Sequence, residues 1–191
     1  MANETDGSVP TAFSVERLGD CTDSRHAYVE SLWVRSFPES ERRETAEQRA
    51  LLQTEPRFAL WALCCDRVPV GLLTTWDFDG FVFMEHLAID PARQSQGIGR
   101  RAIDWAVATM ARPLVLEVEL PNGTPSRRRI AFYERLGFQA FSQAYEQPPY
   151  RAGGPFVAMR LLYLAPGGLA GLEFDAVRAT LYREVYRCEV R

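Results

Sequence analysis

Three apolar runs, residues 58–65, 70–76 and 81–89, follow one another with only short polar breaks, and no other feature limits the fold of this chain so strongly. The first break, Asp66-Arg67-Val68-Pro69, has the charged residues and proline of a hairpin connection, and the second, Asp77-Phe78-Asp79-Gly80, is a turn sequence. Strands joined without intervening helices make an antiparallel meander.

On either side of the meander the periodicity changes. Residues 13–18 alternate as a short, half-buried strand. Tyr28, Leu32, Trp33 and Phe37 stand at helical spacings within 22–37, which Pro38 ends, and a second helix is expected over 39–53. After the meander, residues 97–110 are helix-compatible and 114–120 read as a strand, so the chain makes a right-handed parallel crossover. A helix over 127–136, closed by Gly137 as a left-handed cap, and a strand over 156–164 follow. Phe174, Val177, Leu181 and Val185 place a last helix after Pro166-Gly167-Gly168. The expectation is an α/β fold with a mixed sheet flanked by helices: a tail at 1–12, one domain at 13–164, and an extension at 165–191 docked on it.

Composition excludes several classes. With 191 residues and 47% apolar content the chain suits one globular core. A net charge of −3 leaves no basic stripe for a nucleic-acid partner, although all 22 basic residues are arginines. The four cysteines, at 21, 64, 65 and 188, form no CxxC pair and have no histidine at ligand spacing, so no metal is expected. No run approaches the ~20 apolar residues of a membrane span, and the N-terminus lacks a signal-peptide layout. A cytoplasmic protein with no membrane partner is the expectation; a homodimer is allowed.

Chemistry concentrates in residues 84–100, MEHLAIDPARQSQGIGR: a strand, a turn begun by Pro91, a glycine-punctuated loop and a helix start. The first N–H groups of a helix have no intrahelical partner and the macrodipole favours negative charge there, so a diphosphate can be held on the backbone. Gly97 and Gly99 let phosphate oxygens approach the chain. A dinucleotide site would need GxGxxG after an early strand. Here Gly97-Ile98-Gly99 is followed by Arg100-Arg101-Ala102 and comes after a meander.

In this stretch, Gln94-Ser95-Gln96-Gly97-Ile98-Gly99 resembles the signature of the GNAT acetyltransferases, and residues 131–138, AFYERLGF, are similar to that family's late helix and following strand. The resemblance spans about residues 13–164 and implies an acetyl-CoA-dependent N-acetyltransferase. Acetyl-CoA would be the cosubstrate and an amine the acceptor, on a small molecule, peptide or protein, attacked directly in a ternary complex. It also implies that the pyrophosphate lies on Gln94, Ser95, Gln96, Gly97, Ile98, Gly99 and Arg100, and that the pantetheine arm pairs like a strand with Leu87, Ala88 and Ile89. Ser126 stands where many relatives carry an asparagine that contacts the cofactor, and Asn122 is the substitute.

An alkyl ammonium has a pKa of roughly 10, so acyl transfer needs a proton acceptor. Strand alternation places Glu85 on the face of Leu87 and Ile89 as the candidate base, with His86, on the opposite face, as runner-up. Tyr133 matches the family's acid for the departing thiolate. The loop 143–155, with Tyr145, Pro148, Pro149, Tyr150 and Arg151, and the first helical pair are candidates for acceptor recognition. The same fold without turnover would be an acyl-CoA-binding sensor or interaction module, which would survive loss of Glu85 and Tyr133.

Overall fold

The computed structural model describes residues 12–165 and 172–188. The expected tail, save Ala12, and the Pro166-Gly167-Gly168 break lie outside those residues. The meander is β2 (Phe58–Cys65), β3 (Val68–Asp77) and β4 (Val82–Ile89), with β1 (Phe13–Leu18) antiparallel to β2. The first hairpin closes on Asp66 and Arg67 alone. Both have positive φ, 50° and 68°, as a two-residue primed turn requires, so Val68 and Pro69 belong to β3.

The remaining elements are α1 (His26–Ser36), α2 (Thr45–Thr54), α3 (Ile98–Met110), β5 (Leu114–Glu119), α4 (Thr124–Arg135), β6 (Gln139–Ala140), β7 (Tyr145–Gln147), β8 (Val157–Leu164) and α5 (Phe174–Thr180). A π-helical turn, Leu181–Val185, continues α5. The sheet runs β1-β2-β3-β4-β5-β8-β6, with β7 also on β8, and β4–β5 is its parallel pairing. Helices cover both faces. Val29, Leu32, Trp33, Leu51, Val177 and Leu181 pack over one, and Ala102, Ile103, Ala106 and Ile130 over the other. No described helix is long and apolar enough to cross a membrane.

The second helix is shorter than its pattern implies. Residues 39–41 form a 3₁₀ turn, and α2 starts only at Thr45. Between them Arg42 and Arg43 are buried, at 8% and 2% exposure. Arg42 donates to the Phe37 carbonyl at 3.0 Å, and Arg43 turns inward to Glu85. Those tertiary bonds override a local helical preference, which is a weak force. α4, in contrast, starts three residues early, where Pro125 suits a first turn and Ser126 Oγ accepts from the Gly123 N–H at 3.1 Å. The short strands β6 and β7 were not legible in the pattern, and β7 occupies part of the expected 143–155 loop.

Two irregularities of β4 create the site. Val82 and Phe83 pair with Leu114 and Val115, and beyond them β4 and β5 diverge with no further pairing. On its other side β4 is bulged: Thr75 pairs with Met84 and Thr74 with His86, so Glu85 is the extra residue. A bulge cancels the two-residue alternation. Glu85 therefore reaches Trp76 and His86 reaches Thr74, both on the α1 side of the sheet, whereas Leu87 and Ile89 pack with the α3 side. The alternation that put Glu85 with Leu87 and Ile89 fails at this bulge, whereas His86 does lie opposite Leu87 and Ile89.

Candidate active site

A cavity of about 1170 Å³ fills the fork between β4 and β5 and continues to the start of α3. Of the expected binding residues, Leu87, Ala88, Ile89, Gln94, Ser95, Gly97, Ile98, Gly99 and Arg100 line it. Gln96 is outside the lining, as is Asn122, an exposed residue of the β5–α4 turn. Ser126 is engaged locally with Gly123.

The glycine loop presents free backbone N–H groups at the start of α3. Gly97, at φ 75°, is the left-handed N-cap of α3, and Ser95 also has positive φ. The first helical bond runs from the Arg101 N–H to the Gly97 carbonyl, so the preceding N–H groups of the first turn have no intrahelical acceptor. A Cβ at Gly97 would meet nothing within 4 Å, so the space above the loop is open to a ligand; one at Gly99 would touch Phe132 at 3.4 Å. Asp90 fixes the approach, accepting from the Ala92 N–H at 2.9 Å and the Tyr28 hydroxyl at 2.7 Å. Gln94 donates to the last β4 carbonyl, of Ile89, at 3.3 Å. Arg93 and Arg100 line the cavity, whereas Arg101 lies over the Phe13 ring. An open loop of N–H groups beside an unpaired strand edge fits the diphosphate and the amide-bearing arm of a CoA thioester.

At the other end, the geometry separates two glutamates that differ sharply in state. Glu85 has a side chain with no accessible surface, so what it presents to the cavity is main chain. Its carboxylate forms a buried ion pair with Arg43 and accepts from Trp76 Nε1 and the Tyr150 hydroxyl, each at 3.1 Å. Burial opposes its ionisation, but Arg43, His86 and these hydrogen bonds outweigh that, and the carboxyl is held below its ordinary range. His86 is also committed. Nε2 donates to the Glu41 carbonyl at 3.0 Å, Nδ1 faces Thr74 Oγ1 at 3.3 Å, and burial pushes its pKa down.

Glu117, on the diverging part of β5, was missed by the sequence reading. It lines the cavity and accepts from the Tyr145 hydroxyl, from Gln147 Nε2 at 2.7 Å and from the Tyr186 hydroxyl at 2.6 Å. All three donors are neutral. Burial therefore dominates over their hydrogen bonds, with the Glu85 charge adding to it, and pushes the carboxyl up to about 7. Of its roughly four lone-pair positions, three are taken and one is left for a group in the cavity. In sequence Glu117 is one polar residue in an alternating strand, LVLEVE, and no local signal marks it.

Tyr133, on α4, is 8% exposed and reaches the cavity from the α3 side, packed between Phe132 and Phe138. Its hydroxyl has no hydrogen-bond partner among the described residues, and burial raises its pKa to about 12. It is a protonated phenol at neutral pH. Among the described residues no group of side chains is arranged to hold a metal ion.

A forked parallel pair, a glycine-loop helix N-terminus and titratable groups at the fork define an acyltransferase-type fold that takes a thioester on one side and an acceptor on the other. The acetyltransferase (GNAT) family model matches residues 25–138, and the chain belongs to that family, whose reaction is acetyl transfer from acetyl-CoA. Among solved structures, a GNAT-family acetyltransferase from Bacteroides thetaiotaomicron is 34% identical with a TM-score of 0.84, covering 91% of this chain and 98% of its own. The ribosomal-protein-S18-alanine N-acetyltransferase of Escherichia coli is 21% identical, TM-score 0.59, covering 81% of this chain and 94% of its own. Arabidopsis thaliana NAA60 in complex with acetyl-CoA is 15% identical, TM-score 0.61, covering 82% and 100%. The last two show likeness of fold. No curated protein matches the sequence.

Proposed function

We propose that this protein is an N-acetyltransferase that moves the acetyl group of acetyl-CoA to a primary amine of a small molecule, peptide or protein, by direct attack in a ternary complex. The observation that carries the reading is the pair of groups at the fork: Glu117, a carboxyl poised near pH 7, and Tyr133, a phenol that stays protonated. When bound, acetyl-CoA supplies the acyl thioester.

In this reading the loop from Gln94 to Arg100 holds the pyrophosphate and the free edge of Leu87, Ala88 and Ile89 aligns the pantetheine arm. Glu117 takes the proton of the acceptor ammonium, directly or through one water, which frees the nitrogen lone pair for the acetyl carbon. As the C–N bond forms and the C–S bond breaks, Tyr133 gives its proton to the sulfur and is reprotonated by the second proton that the nitrogen sheds in becoming an amide. Glu85 would have to part with Arg43 to act as base, so its role is structural: it holds the bulge and the start of α2 in place. Residues 13–164 form the catalytic unit and 165–191 its extension.

The test is calorimetric titration with acetyl-CoA, CoA and ATP, followed by amine-dependent thiol release for the wild type and Glu117→Gln. The reading expects acetyl-CoA binding by both proteins and turnover by the wild type only. Absence of CoA binding refutes it. Binding without thiol release from any amine favours an acyl-CoA sensor.

A further inference from the structure

The C-terminal segment reaches into the site from well beyond the residues matched by the family model, which end at 138. The Tyr186 N–H closes a π-type bond to the Leu181 carbonyl at 3.1 Å, a winding that recurs at functional sites. Three groups of this turn and its C-cap are then tied to the rest of the domain. The Tyr182 hydroxyl donates to the Glu146 carbonyl at 2.5 Å, the Val185 carbonyl accepts from Arg43 Nη2 at 2.8 Å, and the Tyr186 hydroxyl donates to Glu117 at 2.6 Å.

The proton inventory around Tyr186 closes. Gln147 Nε2 uses one hydrogen on Glu117 and the other, at 2.9 Å, on the Tyr186 oxygen, which leaves the Tyr186 proton directed at Glu117. Tyr150, whose proton goes to Glu85, packs its ring on Tyr186 at 5.0 Å. Tyr186 is 9% exposed and does not line the cavity, so any effect it has on the reaction passes through the lining residues it touches, Glu117 foremost, with Gln147 and Tyr150 beside it.

We propose that Tyr186 is a positioning residue for acetyl transfer, its hydroxyl fixing the Glu117 carboxylate so that the oxygen position left free points to the acceptor amine. The inference rests on the assignment of Glu117 as base. It gives the extension a function: the π turn delivers one phenol to the base and one main-chain carbonyl to Arg43, the cation that neutralises Glu85. The donor stabilises the ionised carboxyl, so deleting it moves the proton affinity of Glu117 upward.

The test uses the full chain labelled with carbon-13 at the glutamate carboxyls, the Glu117 resonance being assigned by its loss in Glu117→Gln. Tyr186→Phe keeps the ring and removes the donor, and Tyr182→Phe is the control from the same turn. The expected result is a titration midpoint raised by roughly one pH unit in Tyr186→Phe and unchanged in Tyr182→Phe. With an amine that supports turnover, the acid limb of kcat moves by the same amount while the KM for acetyl-CoA stays constant. Midpoints that coincide in the wild type and Tyr186→Phe, or that move equally in both variants, overturn the proposal. Failure of the underlying reading looks different: Glu117→Gln would retain amine-dependent thiol release whatever the midpoints do.

Discussion

Replacing Glu117 by glutamine should stabilise the fold above neutral pH while removing activity. In the folded chain this carboxyl titrates at about 7, against 4.5 for an ordinary glutamate. Below about pH 4.5 it is protonated in both folded and unfolded chains and costs nothing. Between 4.5 and 7 the unfolded chain releases the proton and the folded chain keeps it, so stability falls as pH rises, and above 7 the loss is complete. The gap corresponds to about 3 kcal/mol at ~1.4 kcal/mol per pH unit. Glutamine escapes this cost and keeps the partners, its carbonyl facing Gln147 and Tyr186 and its amide donating to the Tyr145 oxygen. Urea unfolding of both proteins at about pH 5 and about pH 8.5 measures the effect, because every other titrating group cancels in the difference. The wild type should lose about 2.5 kcal/mol relative to the variant between the two conditions, the remainder of the gap lying below about pH 5, at which the unfolded carboxyl is already largely ionised. Parallel pH dependences, agreeing within about 1 kcal/mol, would refute the claim that Glu117 is destabilised by burial and poised as a base.

Tyr133→Phe keeps the packing between Phe132 and Phe138 and should lower kcat for thiol release about 100-fold with little change in the KM for acetyl-CoA. Gly97→Ala adds a Cβ that meets no protein atom, so its stability cost is the left-handed strain alone, about 1–2 kcal/mol, while calorimetry should show acetyl-CoA binding weakened at least about tenfold. Arg43→Met leaves the Glu85 charge buried and unpaired and should cost about 3–5 kcal/mol in chemical denaturation, most of it recovered by adding Glu85→Gln.

The order of elements was written in the sequence because each signal is local. Apolar runs, turn residues and helical spacings located β1 to β5, α1 and α3, and the glycines of residues 97–99 marked the loop that opens α3. Gly137 took the left-handed conformation its position implied, at φ 91°. Tertiary structure decided the chemistry at the fork. One extra residue in β4 reversed the face that Glu85 occupies, and a strand pattern cannot reveal it because the bulge exists only relative to the register of β3. Arg43, 42 residues before Glu85 in the chain, turned the nominated base into half of a buried ion pair. Glu117 became the group near neutrality because neutral donors from β7 and the C-terminal turn, 28 to 69 residues away, surround it without a cation. Proton affinity depends on burial and on neighbouring charges in space, and the sequence fixes those only by folding.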